Sequence, residues 1–306
     1  MRPYVKQILW VLLVIALAAN AISAQDETER IAVISAFAPE LALLEGQVDN
    51  AEMTQINGVD FMTGSLAGHD VVVFLSGVSM VNAAMTTQLA LDHFNVSRIV
   101  YSGIAGGVNP DLHIGDVTVP AQWGQYLESV FARETAEGEY TLPQGMGFTE
   151  DWPGFGMIYP QSVNVLSAAD PEAQARFWFE VDPDMFAVAE TIAGTVTLDD
   201  CTAEAVCLVN APKIVVGGNG VSGQAFVDNA DFRDYVFAAF EANVLDMETA
   251  AAATVAHANG VPFIAFRSLS DLAGGGPGEN EMGTFFQIAA DNSAAVVIAF
   301  LEAWEG

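Results

Sequence analysis

Hydrophobic positions in this chain fall into short continuous runs separated by amphipathic, often alanine-rich stretches. IAVISAF from Ile31, the DVVVF around Val71, RIVYSG from Arg98, PKIVVGG, the stretch opening at Val244 and VPFIAF up to Phe266 are β-branched and aromatic throughout. Such runs predict strands covered on both faces. Between them, APELALLEG with Pro39 at its opening, GVSMVNAAMTTQLALDHF, the segment after Asn229 or Asp231, ETAAAATVAHAN and the stretch from Glu281 to Glu302 carry helical spacing. FMTGSLAGHDVVVFLSG reads as a hairpin turning at Ala67 to His69. Strands alternating with helices predict an α/β protein with three layers, a central twisted mixed β-sheet flanked by helices.

Residues 121–212 break this rhythm, being rich in Trp, Phe, Pro and acidic residues. We read them as an excursion from a single domain over 25–306, with helices near Pro171 to Phe179 and Pro183 to Ile192. The excursion either lids a pocket or covers apolar surface.

Charge narrows the partners. The 306 residues hold 39 acidic and 9 basic side chains, a net charge of −30. That surface repels nucleic acid and anionic lipid, leaving a small molecule as the expected partner. The chain opens with Arg2 and Lys6, an apolar run from Ile8 and small residues at Ala19, Ala21 and Ala24. This is a signal-peptide pattern over 1–24, cleaved after Ala21 or Ala24, and predicts a periplasmic or secreted protein; an uncleaved anchor is the other reading of a run short for a span. In an exported chain Cys201 and Cys207 are expected to pair and pin a small loop. His69, His93, His113 and His257 lack zinc-motif spacing, and neither metal nor cofactor is expected.

Candidate chemistry gathers in VLDMETAAAATVAHANGVPFIAFRSLSDLAGGG, from Val244 to Gly276. Glu248 is expected in a helix first turn, where the dipole keeps its carboxylate ionised. Asp271 is expected at the carboxyl end of a strand, the edge where open α/β sheets bind ligands. A helix cap and a loop turn are the plain structural readings of the same two residues. Further upstream, the glycines of SGIAGGVNPDLHIGDVTVP, Gly103 among them, let backbone approach a ligand closely.

AFAPELALL, SGIAGGVNPDLHIGDVTVP, SGQAFVDN, VLDMETAAAATVAHANGVPF and RSLSDLAG occur in an order that resembles the nucleoside phosphorylase and nucleosidase superfamily, especially the methylthioadenosine/S-adenosylhomocysteine nucleosidases. The segment before PKIVVGG, with its cysteines, and FVDN also look like the secreted plant storage proteins of that superfamily. The resemblance implies a general acid at Asp271, which serves N7 of a leaving purine, and a water-activating carboxylate at Glu40. It implies ribose hydroxyls on Glu248 with Met247 beside the sugar, base stacking on Phe226, and purine-edge reading by the Val227 backbone. Arg267 and Ser270 are implied as supports of the acid, Val78 as an apolar wall, and a homodimer or higher homo-oligomer as the assembly.

The chain departs from the family at Ile104, where Ser is usual, and at Gln224, where Asp is common. A phosphate co-substrate needs arginine-type donors. The first-strand loop instead reads APELA, and Tyr101 and Ser102 precede the glycine loop. Water is therefore the favoured nucleophile, and with it the resemblance implies an exported purine nucleosidase. A phosphorylase with an unusual phosphate site and a non-catalytic nucleoside-binding or storage protein are the alternatives.

Overall fold

The computed structural model describes residues 26–144, 152–276 and 278–305. The expected signal peptide lies outside the described residues. In chain order the elements are β1 (Asp26–Ser35), α1 (Ala38–Glu45), β2 (Asp49–Ile56), β3 (Val59–Leu66), β4 (His69–Leu75), α2 (Met80–His93), β5 (Phe94–Gly107), β6 (Val117–Val119) and β7 (Gln122–Gln125). Then follow β8 (Ser129–Phe131), β9 (Arg133–Ala136), β10 (Glu139–Thr141), β11 (Ile158–Pro160), β12 (Val163–Val165), β13 (Gln174–Arg176), β14 (Trp178–Glu180) and α3 (Pro183–Ile192). The chain closes with β15 (Ile214–Val216), β16 (Asn219–Ser222), α4 (Ala230–Phe240), β17 (Ala242–Asp246), α5 (Thr249–Asn259), β18 (Phe263–Asp271) and α6 (Met282–Ala303).

A mixed 12-stranded sheet runs β14-β7-β16-β17-β5-β1-β4-β3-β2, with β18 and β6 joined alongside β5 and β15 paired to β6. On one side α6 packs over β18 and β5 together with α1 and α3, and on the other α2 packs against α5. These are the three layers expected from the alternation of runs. Helix α6 is long and apolar enough to cross a membrane, but more than half of its apolar window is buried against the sheet. The hairpin turns at Ala67 (φ 51°) and Gly68 (φ 86°). Two positive φ values in a row match the right-handed twist of the strands they join.

Strand β5 organises the site. Its first half pairs in parallel with β1, from Arg30 and Val96 to Ile34 and Tyr101. Its end pairs antiparallel with β17, Leu245 opposite Gly106 and Val244 opposite Gly107. Its other edge carries β18 in parallel, from Phe263 opposite Ile99 to Asp271 opposite Gly106. The glycine run expected as a loop is therefore strand. The missing side chains serve the crowding around it: a Cβ on Gly107 would lie 2.3 Å from Leu269 Cδ2.

A helix does not form near Pro171 to Phe179. That stretch gives β13 and β14, with β14 antiparallel to β7 through Phe179 opposite Trp123. Burial alternates from Phe177 (6% exposed) to half-buried Trp178 to Phe179 (1%), and cross-strand burial of these rings outweighs the helix-favouring residues before them. The helix at Pro183–Ile192 forms as expected, capped by Asp182, whose side chain accepts from the Asp184 and Met185 N–H groups. Cys201 and Cys207 form a disulfide that closes a small exposed hairpin.

Candidate active site

The carboxyl ends of several strands and the starts of the helices that follow them meet at a cavity of about 340 Å³. Ala36 and Phe37 follow β1, Glu40 sits in the first turn of α1, and Val78 precedes α2. Ile104, Ala105 and Gly106 belong to β5, while Phe226 and Val227 lie on the loop after β16. Asp246, Met247 and Glu248 join β17 to α5, Ser270 and Asp271 end β18, and Met282 starts α6.

Glu40 is buried against the backbone. Its Oε2 accepts from Ala36 N at 2.7 Å and Phe37 N at 3.3 Å. Its Oε1 accepts at 2.7 Å from the N–H of Ile104, which lies between the part of β5 paired with β1 and the part paired with β17. A break in the strand ladder thus becomes the carboxylate's anchor. Gly103 lines no part of the cavity; a Cβ there would lie 2.1 Å from Arg267 Nη1 and 2.5 Å from Glu40 Oε1. It serves the site by leaving room for this pair. Burial raises the pKa of Glu40, against the pull of Arg267 and of its three backbone donors.

One guanidinium ties the carboxylates together. Arg267 is fully buried in the middle of β18, with Nε 2.8 Å from Asp246 Oδ2 and 2.9 Å from Thr249 Oγ1. Its Nη1 donates to Ile104 O at 3.3 Å and lies 3.6 Å from Glu40 Oε1, while Nη2 faces Glu248 Oε2 at 3.6 Å without a hydrogen bond. Its Cζ lies over the Tyr101 ring, 4.6 Å from the centroid. Burial alone would favour losing its proton, but Asp246, Glu40 and Glu248 more than offset that and raise its pKa. Arg267 therefore supports Glu40, Asp246 and Glu248, and makes no contact with Asp271; the acid expected to rest on it is held by other groups.

Asp246 went unassigned in the sequence, yet it is buried and fully engaged at the site. Its carboxylate accepts from the hydroxyls of Ser222 and Thr249 and from the N–H groups of Glu248 and Thr249, both at 3.2 Å. It, rather than Glu248, caps α5. The only sequence signal was its place two residues before Glu248, on the same face of an extended strand end.

Glu248 holds its charge less firmly than its place at the helix start had led us to expect. Its pKa is pushed up to about 7, first by burial and then by the nearby Asp246 charge, with Arg267 and the Ser79 N–H pulling the other way. The helix dipole is already answered by Asp246. Glu248 Oε1 accepts from Ser79 N at 2.8 Å. A carboxyl with a raised pKa contributes stability that is fully present below its unfolded value of 4.5 and is lost as the pH rises through about 7. Wild-type protein is accordingly expected to lose stability relative to Glu248→Gln as pH rises from 5 to 8. Parallel urea midpoints, unchanged in difference across that range, would contradict this.

Ser79 holds that contact at φ 84° and ψ 154°, a region open almost only to glycine. Ser79→Gly is expected to raise stability by about 1 kcal/mol by relieving the strain; a melting temperature at or below wild type would argue against it.

Asp271 stands apart, at the end of β18 and 2% exposed. Oδ1 accepts from Ala273 N at 2.8 Å and Asn280 Nδ2 at 3.3 Å, and Oδ2 accepts from Ser270 Oγ at 3.0 Å. Burial raises its pKa and outweighs these donors, with Glu281 adding in the same direction. Arg267, paired with Glu40, Asp246 and Glu248, is not among the groups that shift it. Burial eases protonation of this carboxyl, and in its protonated form it can donate to a bound group, while Glu40 and Glu248 can accept hydrogen bonds from hydroxyls or water.

Phe226 and Val78 are exposed at the cavity, Met247 is half-buried and Val227 is buried. Gln224 is exposed and is not among the residues that line the cavity. Phe37 and Met282, which motif reading passed over, complete the apolar wall. Among the described residues no Arg, Lys or His lines this cavity.

Comparison with known proteins gives the family. A family model described as the phosphorylase superfamily matches residues 30–302. The 5'-methylthioadenosine/S-adenosylhomocysteine nucleosidase of Tolumonas auensis is 29% identical over 275 residues, 89% of this chain and 99% of its own. That of Bacillus thuringiensis is 30% identical over 247 residues, 80% of this chain and 87% of its own. A solved S-adenosylhomocysteine nucleosidase from Streptococcus pyogenes, in complex with 5-methylthiotubericidin, superposes with a TM-score of 0.65 at 26% identity, covering 91% of this chain and 98% of that one. The chain belongs to the phosphorylase superfamily.

Proposed function

We propose that this protein is a purine nucleosidase that hydrolyses the N-glycosidic bond of methylthioadenosine, S-adenosylhomocysteine or a related purine nucleoside. The observation that carries the reading is the convergence of Asp271, whose pKa burial raises, with Glu40 and Glu248 on one largely apolar cavity that no Arg, Lys or His among the described residues lines. In this reading Asp271 gives its proton to N7 of the purine as the bond from C1' to N9 breaks and its electron pair leaves with the base. Phe226 stacks on that base and the Val227 backbone reads its edge. Glu248 accepts from the ribose hydroxyls, and Glu40 takes the proton of the water that adds to C1'. The cationic sugar and the anionic base of the transition state thus each face a group of the opposite tendency.

Two features support the finer points. Phosphate would need charge-assisted donors, and the nearby guanidinium of Arg267 is already committed to three carboxylates, so water is the nucleophile. The wall formed by Phe37, Val78, Ile104 and Met282 suits an uncharged 5'-alkylthio substituent better than a 5'-phosphate. Purified protein incubated with methylthioadenosine, adenosine and inosine, with and without phosphate, should release free base and free sugar in both conditions. Sugar phosphate as the product would make it a phosphorylase, and no base from any nucleoside would make it a binding protein.

We also place the protein outside the cytoplasm and in a homodimer or higher homo-oligomer. The exposed Cys201–Cys207 disulfide and the basic-then-apolar start support the first, and N-terminal sequencing of exported material should begin near Ile22 or Gln25. Exposed Val78 and Phe226 at the cavity, with exposed Val81 and Met85 on the helix that follows Val78, support the second. A monomeric mass by light scattering at micromolar concentration would count against it.

A further inference from the structure

The run DLAGGGPGEN after the acid reads as loose loop, but its described residues are tightly held. Gly274, at φ 88°, packs so closely that a Cβ would lie 2.3 Å from Asn229 N and 2.6 Å from Asp228 C. A Cβ on Gly275 would meet Arg233 at 2.7 Å, and Asn229 N donates to Ala273 O at 3.0 Å. The loop that carries Phe226 is thus pressed against the loop that follows Asp271.

Asn280 spans the two. Its Nδ2 donates to Asp228 Oδ1 at 3.1 Å and to Asp271 Oδ1 at 3.3 Å, while its Oδ1 accepts from Met282 N at 3.0 Å. One amide therefore ties the acid, the far end of the base-stacking loop and the start of α6. At Asp271, Oδ1 faces two N–H groups, from Ala273 and Asn280, which can only donate. A proton on Oδ1 would meet both head on. Oδ2 faces the Ser270 hydroxyl, which can turn to either role.

We propose that Asn280 is a positioning residue for the acid: its amide keeps Asp271 Oδ1 as an acceptor, places the transferable proton on Oδ2, and holds the carboxyl in register with the Phe226 loop. The inference rests on the reading of the protein as a purine nucleosidase. As the proton passes from Oδ2 to the purine and the electron pair of the broken bond leaves with the base, negative charge appears on Asp271. The hydrogen bonds from Asn280 and Ala273 then strengthen, so they stabilise the transition state more than the ground state.

The test compares Asn280→Ala with wild type on two ribosides. On methylthioadenosine kcat should fall about tenfold, the loss of one hydrogen bond to a charged group, with KM little changed. On p-nitrophenyl riboside, whose leaving group departs as a stable anion and needs no proton, kcat should change by less than about twofold. Equal losses on both substrates, or none on the first, overturn the inference. Asn280→Asp, which sets a carboxylate against Asp271 and Asp228, should lose more than Asn280→Ala on the purine substrate alone. A wild type without purine turnover would overturn the nucleosidase reading instead, and the contact is then decided by the carboxyl carbon-13 titration of Asp271. The charged groups around it are Glu281 at the start of α6, Asp228 on the stacking loop and Arg233 on α4 against Gly275. Loss of the amide should move that midpoint upward; an unchanged midpoint refutes the contact.

Discussion

Asp271→Asn is expected to cut turnover by about 10² or more while leaving nucleoside affinity and melting temperature close to wild type. Asn keeps the shape and can still accept from Ala273 N, the 2.8 Å bond that fixes the end of β18. What it lacks is an acidic proton. Glu40→Gln should lower turnover similarly through the water, whereas Glu248→Gln should weaken ribose binding and turnover together, because it meets the sugar in both states. If the three carboxyls were only caps and turn formers, activity would fall no further than the fraction of folded protein. Turnover and melting temperature measured on the same variants separate the two, and wild-type turnover in folded Asp271→Asn would remove Asp271 from the role of acid.

The largest effect on stability is expected at Arg267. Arg267→Met leaves Glu40, Asp246 and Glu248 together in a buried space without their shared cation. Removing one partner of a buried ion pair costs about 3 to 5 kcal/mol, and a chain of this size should lose on the order of 10 °C in melting temperature. The loss should shrink at low pH, because all the stranded carboxyls can then protonate. Arg267→Lys should recover little: one ammonium cannot reach Asp246 through Nε, Glu40 and Ile104 through Nη1 and Glu248 through Nη2, nor replace the guanidinium over Tyr101. A urea midpoint for Arg267→Met within about 1 kcal/mol of wild type would show that the guanidinium is not the hub of the site.

Local pattern determined the buried strands and most helices. A run such as Phe263 to Asp271, buried at every position, has one stable use, between two layers of helix, and its end must present Asp271 at the sheet edge. Asn229 capping α4 and the positive-φ turn at Ala67 and Gly68 follow from side-chain chemistry within a few residues. The motifs around Glu40, Glu248 and Asp271 named the carboxyls of the site for the same reason: each sits where a strand passes to a helix or loop.

Everything that depended on neighbours distant in the chain was decided by the tertiary structure. Strand β2, exposed along nearly its whole length, has no apolar alternation to betray it and exists because β3 pairs with it. The aromatics of β14 were drawn into the sheet by Trp123, more than fifty residues earlier, against a local preference for helix. The protonation of the site was likewise set at a distance. Arg267 lies four residues before Asp271, yet in an extended strand, here with a register shift between Leu269 and Asp271, that spacing carries the two well apart; the guanidinium reaches instead to Asp246, Glu40 and Glu248, brought in from β17, α1 and the start of α5. Charges shift one another through space, not along the chain, so sequence order could name these residues but not say which of them would hold a proton.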